Sequence, residues 1–317
     1  MEINKQIKSL KANSLLSWIL QIVVGLVFLS SAILKYISID VFDLYIYEHN
    51  LFDLPITETL TRLLIAVELT LGLMFVFRLQ IRKAYYFALF MLVAFTIYLL
   101  LLPYIFNVDI TNCHCFGEKV VLNRIQSIIK NLILIVLILP IRYDFKEWKH
   151  SLRITIGLFL LAFIVLMSIN APNYIYKLVH KDKIQIDKEL YYTALKNQNK
   201  EAEYSEGKQI ICMYSTHCGY CKKSAKKLSL IFERKHQDVN RMKAIFWSSQ
   251  SEEAINHFFE EQSIAPIPYT TFTVDTFLNI TQGNMPIILF SDNGKIVKAS
   301  EYISLQEEDI ENFLENQ

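Results

Sequence analysis

Two cysteines three positions apart form the clearest reactive pair in the chain. Cys218 and Cys221 follow the apolar run 209–214, a predicted strand, and they open the lysine-rich helical stretch 222–233. Cys218 is therefore expected in the first turn of a helix, where unbonded backbone N–H groups and the helix dipole favour a thiolate. Cys221 lies on the same face one turn further on, so the two sulfurs can form a disulfide with each other or exchange with another disulfide.

Half of a zinc site would have the same cysteine spacing. Zinc needs two further ligands at metal-site spacing, and the other candidates in this region form no paired motif, so redox chemistry is favoured. His217 could stabilise the Cys218 thiolate when charged, and a solvated loop histidine is the open alternative. Cys212, on the predicted strand, is interpreted as a buried apolar residue. The other candidate ligands are Cys212, His217, His236 and His257.

The residues after this motif predict the remaining elements of an α/β domain. Asn293-Gly294 is a strong hairpin signal between two short apolar runs, which indicates a pair of antiparallel strands. The expected strands are 241–247, 286–290 and 296–299, and the expected helices are 252–262 and 305–314.

Residues 206–317 resemble a thioredoxin-fold domain, with Met285 and Pro286 at the position of the family's cis-proline. The resemblance implies that these two residues face the disulfide and help to bind the substrate chain. Gly219 and Tyr220, between the cysteines, also occur in periplasmic disulfide isomerases and some glutaredoxins. They are expected to border the substrate and tune the redox potential, without deciding the direction of electron flow.

The first half of the chain has the composition of a membrane domain. The 317 residues are 53% hydrophobic with a mean hydropathy of +0.28, and the excess lies before Pro172. Five stretches come near the ~20 apolar residues that cross a bilayer, and the first is expected to be a span, not a cleavable signal peptide. A net charge of +1 gives no general case for nucleic-acid binding. The predicted spans are 17–37, 59–77, 84–106, 125–140 and 154–169.

Charges in the connecting segments predict the orientation of these spans. Basic segments should be cytoplasmic, the more acidic loops should face outward, and an odd number of spans then places the C-terminal domain outside. The predicted location is a bacterial inner membrane, with a cytoplasmic N-terminus and a periplasmic domain where disulfides persist. The basic residues are Lys5, Lys8, Lys11, Arg78, Arg82, Lys83, Arg142, Lys146, Lys149 and Arg153, and the acidic positions are Asp40, Asp43, Glu48, Asp53 and the loop 109–118.

A second cysteine pair, Cys113 and Cys115, lies in the outer loop between the third and fourth spans. Four of the five cysteines thus form two close pairs, and the predicted topology puts both pairs on one side of the membrane. Two structural thiols are the alternative, although neighbouring thiols rarely stay free in an oxidising compartment. A bridge between positions i and i+2 needs distorted geometry, so a readily reduced disulfide is expected. His114 could tune the thiolates, and is weak evidence for a metal site.

Residues 10–170 resemble the MauE/DoxX superfamily, whose MauE branch carries a Cys-x-Cys-Phe-Gly sequence at the outer end of a span. The matching residues are Cys113, Cys115, Phe116 and Gly117, and His114 replaces the usual glycine. The resemblance implies disulfide formation in exported proteins, analogous to DsbB and the vitamin K epoxide reductase homologues, in which a membrane bundle re-oxidises a thioredoxin-like partner. Those analogues use two membrane dithiols and a quinone. This bundle has one pair, so quinone stays an open alternative as the acceptor.

Ionisable residues inside the predicted spans are further candidates. Glu68 in the second span could pair with Lys35 at the end of the first span or relay a proton. Lys130 in the fourth span, together with Arg124, is expected to stabilise a thiolate or an anionic quinone near the dithiol. For Lys130 the alternative is a side chain that extends to the membrane surface.

These features predict a polytopic α-helical membrane bundle (1–172), an extracytoplasmic linker (173–205) and an α/β thioredoxin-like domain (206–317), acting as a thiol–disulfide oxidoreductase. In the favoured direction Cys218 accepts electrons from substrate thiols, Cys221 resolves the mixed disulfide, and the membrane pair re-oxidises the domain. The alternatives are a reductase or isomerase kept reduced by a partner, and a non-enzymatic assembly factor for one exported client. The predicted partners are exported thiol or disulfide proteins and the lipid bilayer, without nucleic acid or metal; the oligomeric state is not predicted.

Overall fold

The computed structural model describes residues 2–106, 113–143, 151–180 and 184–315. The chain divides into two compact units, one formed by Met1–His49 with Ile56–Ala171 and the other by Asn50–Pro55 with Pro172–Gln317. Part of the acidic loop 109–118, together with Lys146 and Lys149, lies outside the described residues.

The first unit is a helical bundle, as predicted. Within the described residues, five helices are long and apolar enough to cross a membrane, and they coincide with the five predicted spans to within a few residues. The second span starts earlier than expected, at Leu54. Pro55 does not interrupt this helix, because a proline is tolerated in the first turn. The helices are α1 (Glu2–Ile37), α2 (Ile39–Glu48), α3 (Leu54–Val76), α4 (Ile81–Phe106), α5 (Arg124–Ile138) and α6 (Ser151–Ile169).

Helices α1 and α3 approach each other closely through two glycines. A Cβ atom on Gly25 would lie 2.8 Å from the carbonyl oxygen of Gly72, and one on Gly72 would lie 2.9 Å from the carbonyl oxygen of Gly25. Phe28 and Phe75 stack nearby with their ring centroids 6.3 Å apart. Small residues at a helix crossing permit this packing inside a membrane, where close contact replaces the hydrophobic effect as the driving force.

The first outer loop differs from the sequence-based expectation. It contains helix α2, and Asp43, expected among outward-facing acidic residues, is buried. Its carboxylate lies 2.5 Å from Nη1 of Arg62, which is also buried. Because a buried charge needs a partner, this ion pair explains how α2 can fold back onto α3.

The second unit contains a five-stranded sheet in the order β3-β2-β1-β4-β5. Strands β1, β2 and β3 are parallel, and β4 and β5 are each antiparallel to their preceding neighbour in the sheet. This mixed α/β sheet is the predicted thioredoxin-like fold. The strands are β1 (Lys208–Met213), β2 (Met242–Trp247), β3 (Tyr269–Phe272), β4 (Ile287–Asp292) and β5 (Lys295–Glu301).

Two helices of the second unit lie in the segment 173–205, which was predicted to be a linker. Tyr191 and Tyr204 from that segment are 1% exposed and pack in the same core as Ile211 of β1. The Tyr204 hydroxyl donates a hydrogen bond to the carbonyl of Ala244, at 3.1 Å. The helices are α7 (Asn173–Val179), α8 (Lys188–Asn197), α9 (Gly219–Arg234), α10 (Glu252–Glu261), α11 (Val274–Thr281) and α12 (Glu307–Glu315).

Candidate active site

The dithiol of the second unit lies at the junction of β1 and α9. Cys218 is the N-cap of α9, and the backbone N–H of Cys221 donates to its sulfur at 3.3 Å. The backbone N–H of Cys218 donates to the carbonyl of Ser215 at 3.1 Å. Cys218 is partly exposed and Cys221 is fully buried. Of the two sulfurs, Cys218 is therefore the one that another chain can reach.

The two thiols of this pair have opposite acidities. A hydrogen bond from the Cys221 thiol lowers the pKa of Cys218 to about 6; the backbone N–H groups of Cys221 and Tyr220 act in the same direction, and burial opposes them. Burial, followed by the hydrogen bond to Cys218, raises the pKa of Cys221 far above its ordinary value. At neutral pH the pair thus contains an accessible thiolate and a protected thiol, the combination that thiol–disulfide exchange needs.

A loop before β4 borders the same sulfur. The Met285–Pro286 peptide bond is cis, and the carbonyl oxygen of Met285 lies 4.0 Å from Sγ of Cys218. Gly219 and Tyr220, which follow Cys218 in the chain, are exposed, with Tyr220 at 53%. His217 is also exposed, and its Nδ1 lies 3.2 Å from the hydroxyl of Thr216. The structure thus brings the sequence-predicted substrate-binding residues together around Cys218.

The second cysteine pair is a disulfide between Cys113 and Cys115. The two residues are 2% and 4% exposed. Their segment is tied to the start of α5, because the backbone N–H of Cys113 donates to the carbonyl of Leu122 at 2.9 Å. The hydroxyl of Ser127, in the first turns of α5, lies 2.8 Å from Sγ of Cys113. The disulfide is therefore buried and is held by hydrogen-bonding contacts near the start of α5.

Gly117 fixes this segment against α1. Its φ is +66°, and a Cβ atom there would collide with the hydroxyl of Ser38 and lie 2.5 Å from the carbonyl oxygen of Leu34. The next backbone N–H, that of Glu118, donates to the Ser38 hydroxyl at 3.0 Å. Only glycine suits both the left-handed backbone and this close approach.

A polar network inside the bundle reaches the backbone of the disulfide. Lys35 and Glu68 form the expected ion pair, with 2.5 Å between Nζ and Oε1. Ser31 joins this pair to the motif, because its Oγ lies 3.0 Å from Oε2 of Glu68 and 2.8 Å from the carbonyl oxygen of Cys115. Lys35 also donates to Ser31 Oγ at 3.1 Å. A titratable pair is thus connected to the disulfide segment by one hydroxyl.

Three further residues predicted to tune the dithiol are Lys130, Arg124 and His114. The ammonium of Lys130 lies 4.9 Å from the ring centroid of Phe116, so it contacts the aromatic residue of the motif. Arg124 is the first residue of α5. His114 has a φ of +51°, and its ring centroid lies 4.7 Å from that of Tyr45 with the two planes tilted by 42°. Burial lowers the pKa of its imidazole.

Comparison with known proteins gives one family match and one full-length relative. Residues 13–143 match the family model described as methylamine utilisation protein MauE. This region is a MauE domain. Protein TlpB of Flavobacterium psychrophilum is 24% identical over 339 aligned residues, which cover 90% of this chain and 91% of that protein. No solved structure matches the chain significantly. The chain is thus a membrane protein that is similar to MauE over residues 13–143 and to protein TlpB over most of its length.

Three residues of the MauE domain make polar contacts that the sequence did not predict. Ser31 and Ser127 contact the disulfide segment, and Arg62 neutralises Asp43. An arginine inside an apolar span is itself a signal, because such residues are expensive in a membrane and need a partner. The serines offered no comparable signal, since a single hydroxyl in an apolar helix can bond to its own backbone.

Proposed function

We propose that the chain is a membrane-bound thiol–disulfide oxidoreductase that supports disulfide formation in exported proteins. The observation that carries the proposal is the presence of two complementary cysteine pairs in one chain. Cys218 and Cys221 form a dithiol with an accessible, acidic sulfur, whereas Cys113 and Cys115 form a disulfide at the end of a span. A thiolate and a disulfide are the two reactants of an exchange reaction.

In the proposed direction, substrate thiols reduce the Cys218–Cys221 disulfide by way of a mixed disulfide at Cys218. The reduced domain then passes its two electrons to the Cys113–Cys115 disulfide, with Cys221 resolving the second mixed disulfide. Met285, Pro286, Gly219 and Tyr220 surround Cys218 and would hold the substrate chain. Cys221 suits the resolving role because its full burial keeps it from reacting with other chains before Cys218 has formed a mixed disulfide.

The proposed location of both cysteine pairs is the periplasmic side of a bacterial inner membrane. Support comes from the cationic segments before the first span and between the second and third spans, and from the odd number of candidate spans within the described residues. Disulfides persist in that compartment, so the substrates would be exported proteins with free thiols.

A membrane quinone is the proposed electron acceptor for the reduced membrane pair. Asn131, on α5, has a fully buried amide, and its Oδ1 has no hydrogen-bond partner among the described residues. Lys130, the preceding residue, supplies a cationic donor beside Phe116. A buried acceptor on α5 and a cationic donor beside Phe116 fit a headgroup that accepts hydrogen bonds when oxidised and donates them when reduced. When bound, the quinone would supply a two-electron sink.

The test is the redox state of the C-terminal dithiol in cells that express Cys113→Ser. The variant removes the membrane disulfide, so Cys218 and Cys221 should accumulate as free thiols, detected by alkylation with a mass tag after acid quenching. Cys212→Ala is the matched control, because this buried cysteine belongs to neither pair and its loss should leave the redox state unchanged.

Two other results would each lead to a different function. An unchanged redox state in Cys113→Ser would contradict the relay and favour a reductase or isomerase maintained by a partner. Retained function in all the cysteine-to-serine variants, with loss on deletion of the Met285–Pro286 loop, would identify a non-enzymatic assembly factor.

A further inference from the structure

The two sulfurs of the membrane disulfide have different surroundings. Two groups able to donate a hydrogen bond lie near Sγ of Cys113: the hydroxyl of Ser127 at 2.8 Å and the backbone N–H of Cys115 at 3.3 Å. Sγ of Cys115 lies 3.7 Å from the carbonyl oxygen of Cys113, which is an acceptor, and 3.7 Å from Oγ of Ser127. The donor environment is therefore concentrated on one sulfur of the pair.

This difference matters because thiol–disulfide exchange places negative charge on the sulfur that leaves. A hydrogen bond to a charged acceptor is roughly twice as strong as one between neutral groups, and a nearby carbonyl oxygen repels a thiolate. Cys113 is thus the sulfur whose thiolate the site stabilises. We propose that Ser127 is a catalytic hydroxyl that makes Cys113 the leaving sulfur and directs attack to Cys115; the inference rests on the exchange reaction proposed above.

The position of Ser127 lets its hydroxyl donate a hydrogen bond to Sγ of Cys113. Its side chain is fully buried, so water does not compete for the hydroxyl. The residue lies near the N-terminus of α5, which begins with a capping box formed by Asn123 and Gln126. Its Oγ also lies 2.9 Å from the carbonyl oxygen of Asn123. The single hydroxyl hydrogen can bond to that carbonyl while the disulfide is intact and turn to Cys113 as charge develops there.

The proposed step balances without a further reactant. The thiolate of Cys218 attacks Sγ of Cys115, the Cys113–Cys115 bond breaks, and its electron pair leaves on Cys113. That thiolate accepts the hydrogen bond from Ser127. Cys221 then loses its proton and attacks Sγ of Cys218, and the Cys115 sulfur leaves and takes up a proton. The C-terminal pair ends oxidised and the membrane pair ends reduced by two electrons.

The decisive experiment uses the full-length chain with Cys221→Ser, which lacks the resolving thiol. After reduction of Cys218 and rapid alkylation of free thiols, peptide mapping identifies its partner. The expected product is a Cys218–Cys115 disulfide with an alkylated Cys113. A Cys218–Cys113 disulfide, or equal amounts of both products, would overturn the role of Ser127 and leave the proposed function standing. Absence of both products would overturn the proposed function itself.

A second experiment tests the hydroxyl directly. In Ser127→Ala the exchange between the two pairs should slow about tenfold, the effect of losing one hydrogen bond to a charged group. In the Cys115→Ser background, the same substitution should move the pH midpoint of Cys113 methylthiolation upward by about one unit. Thr70→Val is the control, because it removes a buried hydroxyl that bonds the carbonyl of Ala66 within its own helix. An unchanged rate and midpoint in Ser127→Ala would refute the inference.

Discussion

The reactivity of Cys218 depends on donors supplied by its own helix. The thiol and backbone N–H of Cys221 and the backbone N–H of Tyr220 all stabilise the Cys218 thiolate, more than burial destabilises it. The same hydrogen bond and complete burial keep Cys221 protonated. One Cys-x-x-Cys sequence therefore produces two different chemical groups.

This difference predicts how alkylation depends on pH. In the full chain with Cys113→Ser and Cys115→Ser, the iodoacetamide rate at Cys218 should rise through pH 6, because its pKa is about 6 and only the thiolate reacts. The rate should be nearly constant above neutrality, while Cys221 stays unmodified. Peptide-resolved mass spectrometry at a series of pH values measures both sites. The unfolded chain is the control, in which the pH midpoint of Cys218 alkylation should be about 8.5. A similar midpoint in the folded chain would contradict the prediction.

Gly117 is a second position where a single residue decides the site. In Gly117→Ala the new Cβ would collide with α1, and the left-handed backbone of a non-glycine residue costs about 1–3 kcal/mol. The melting temperature of the purified chain in detergent should fall, and the Cys113–Cys115 segment should become accessible to reductant. Gly157→Ala is the control, because a Cβ there has no atom within 4 Å and alanine favours a helix. Equal melting temperatures for the two variants would count against this account.

At the scale of elements, α1 and α3 carry the charged network under the disulfide. Lys35 and Glu68 are 8% and 13% exposed as side chains, so each depends on the other for neutralisation. Ser31 extends the network to the Cys115 carbonyl. The helix pair that forms the close glycine crossing thus also supports the segment containing the membrane disulfide.

A double substitution tests this dependence. Glu68→Leu should destabilise the MauE domain by about 3–5 kcal/mol, because it leaves Lys35 buried without its partner charge. Adding Lys35→Leu should recover most of that loss, since a neutral apolar pair replaces an isolated charge. Thermal unfolding in detergent compares the single and double variants, with Arg153→Leu as the control, because it removes an exposed cation on α6 outside the ion pair. A double variant less stable than Glu68→Leu would show that the pair is not the source of the effect.

At the scale of the whole molecule, the sequence predicted what depends on local patterns. Apolar runs near membrane length indicated the five spans, and the apolar run before Cys218 indicated β1. β3 was missed because it is four residues long and follows Pro266 and Pro268, which read as a loop. The segment with Tyr191 and Tyr204 read as a linker because its polar residues dominate, although a few aromatic side chains join the core.

The candidate site was predictable only in part, for a related physical reason. Charges in apolar spans stand out in a sequence because burying a charge in a membrane costs free energy and therefore needs a partner. Closely spaced cysteines stand out because few roles other than a disulfide, redox or metal site use them. Ser31 and Ser127 acquire their roles only when the segment 113–123 folds against α1 and α5. The partner of Asp43 likewise becomes evident only when α2 packs against α3.

Cys212 gives quantitative redox proteomics an internal standard. The residue is a free, fully buried thiol, and burial raises its pKa to about 12. Native labelling should therefore leave it unmodified, and labelling after denaturation should modify it completely, whatever the oxidation state of the other four cysteines. The peptide that contains Cys212 then reports the amount of chain in each sample. The occupancy of the two cysteine pairs can be calibrated against it without an added reference protein.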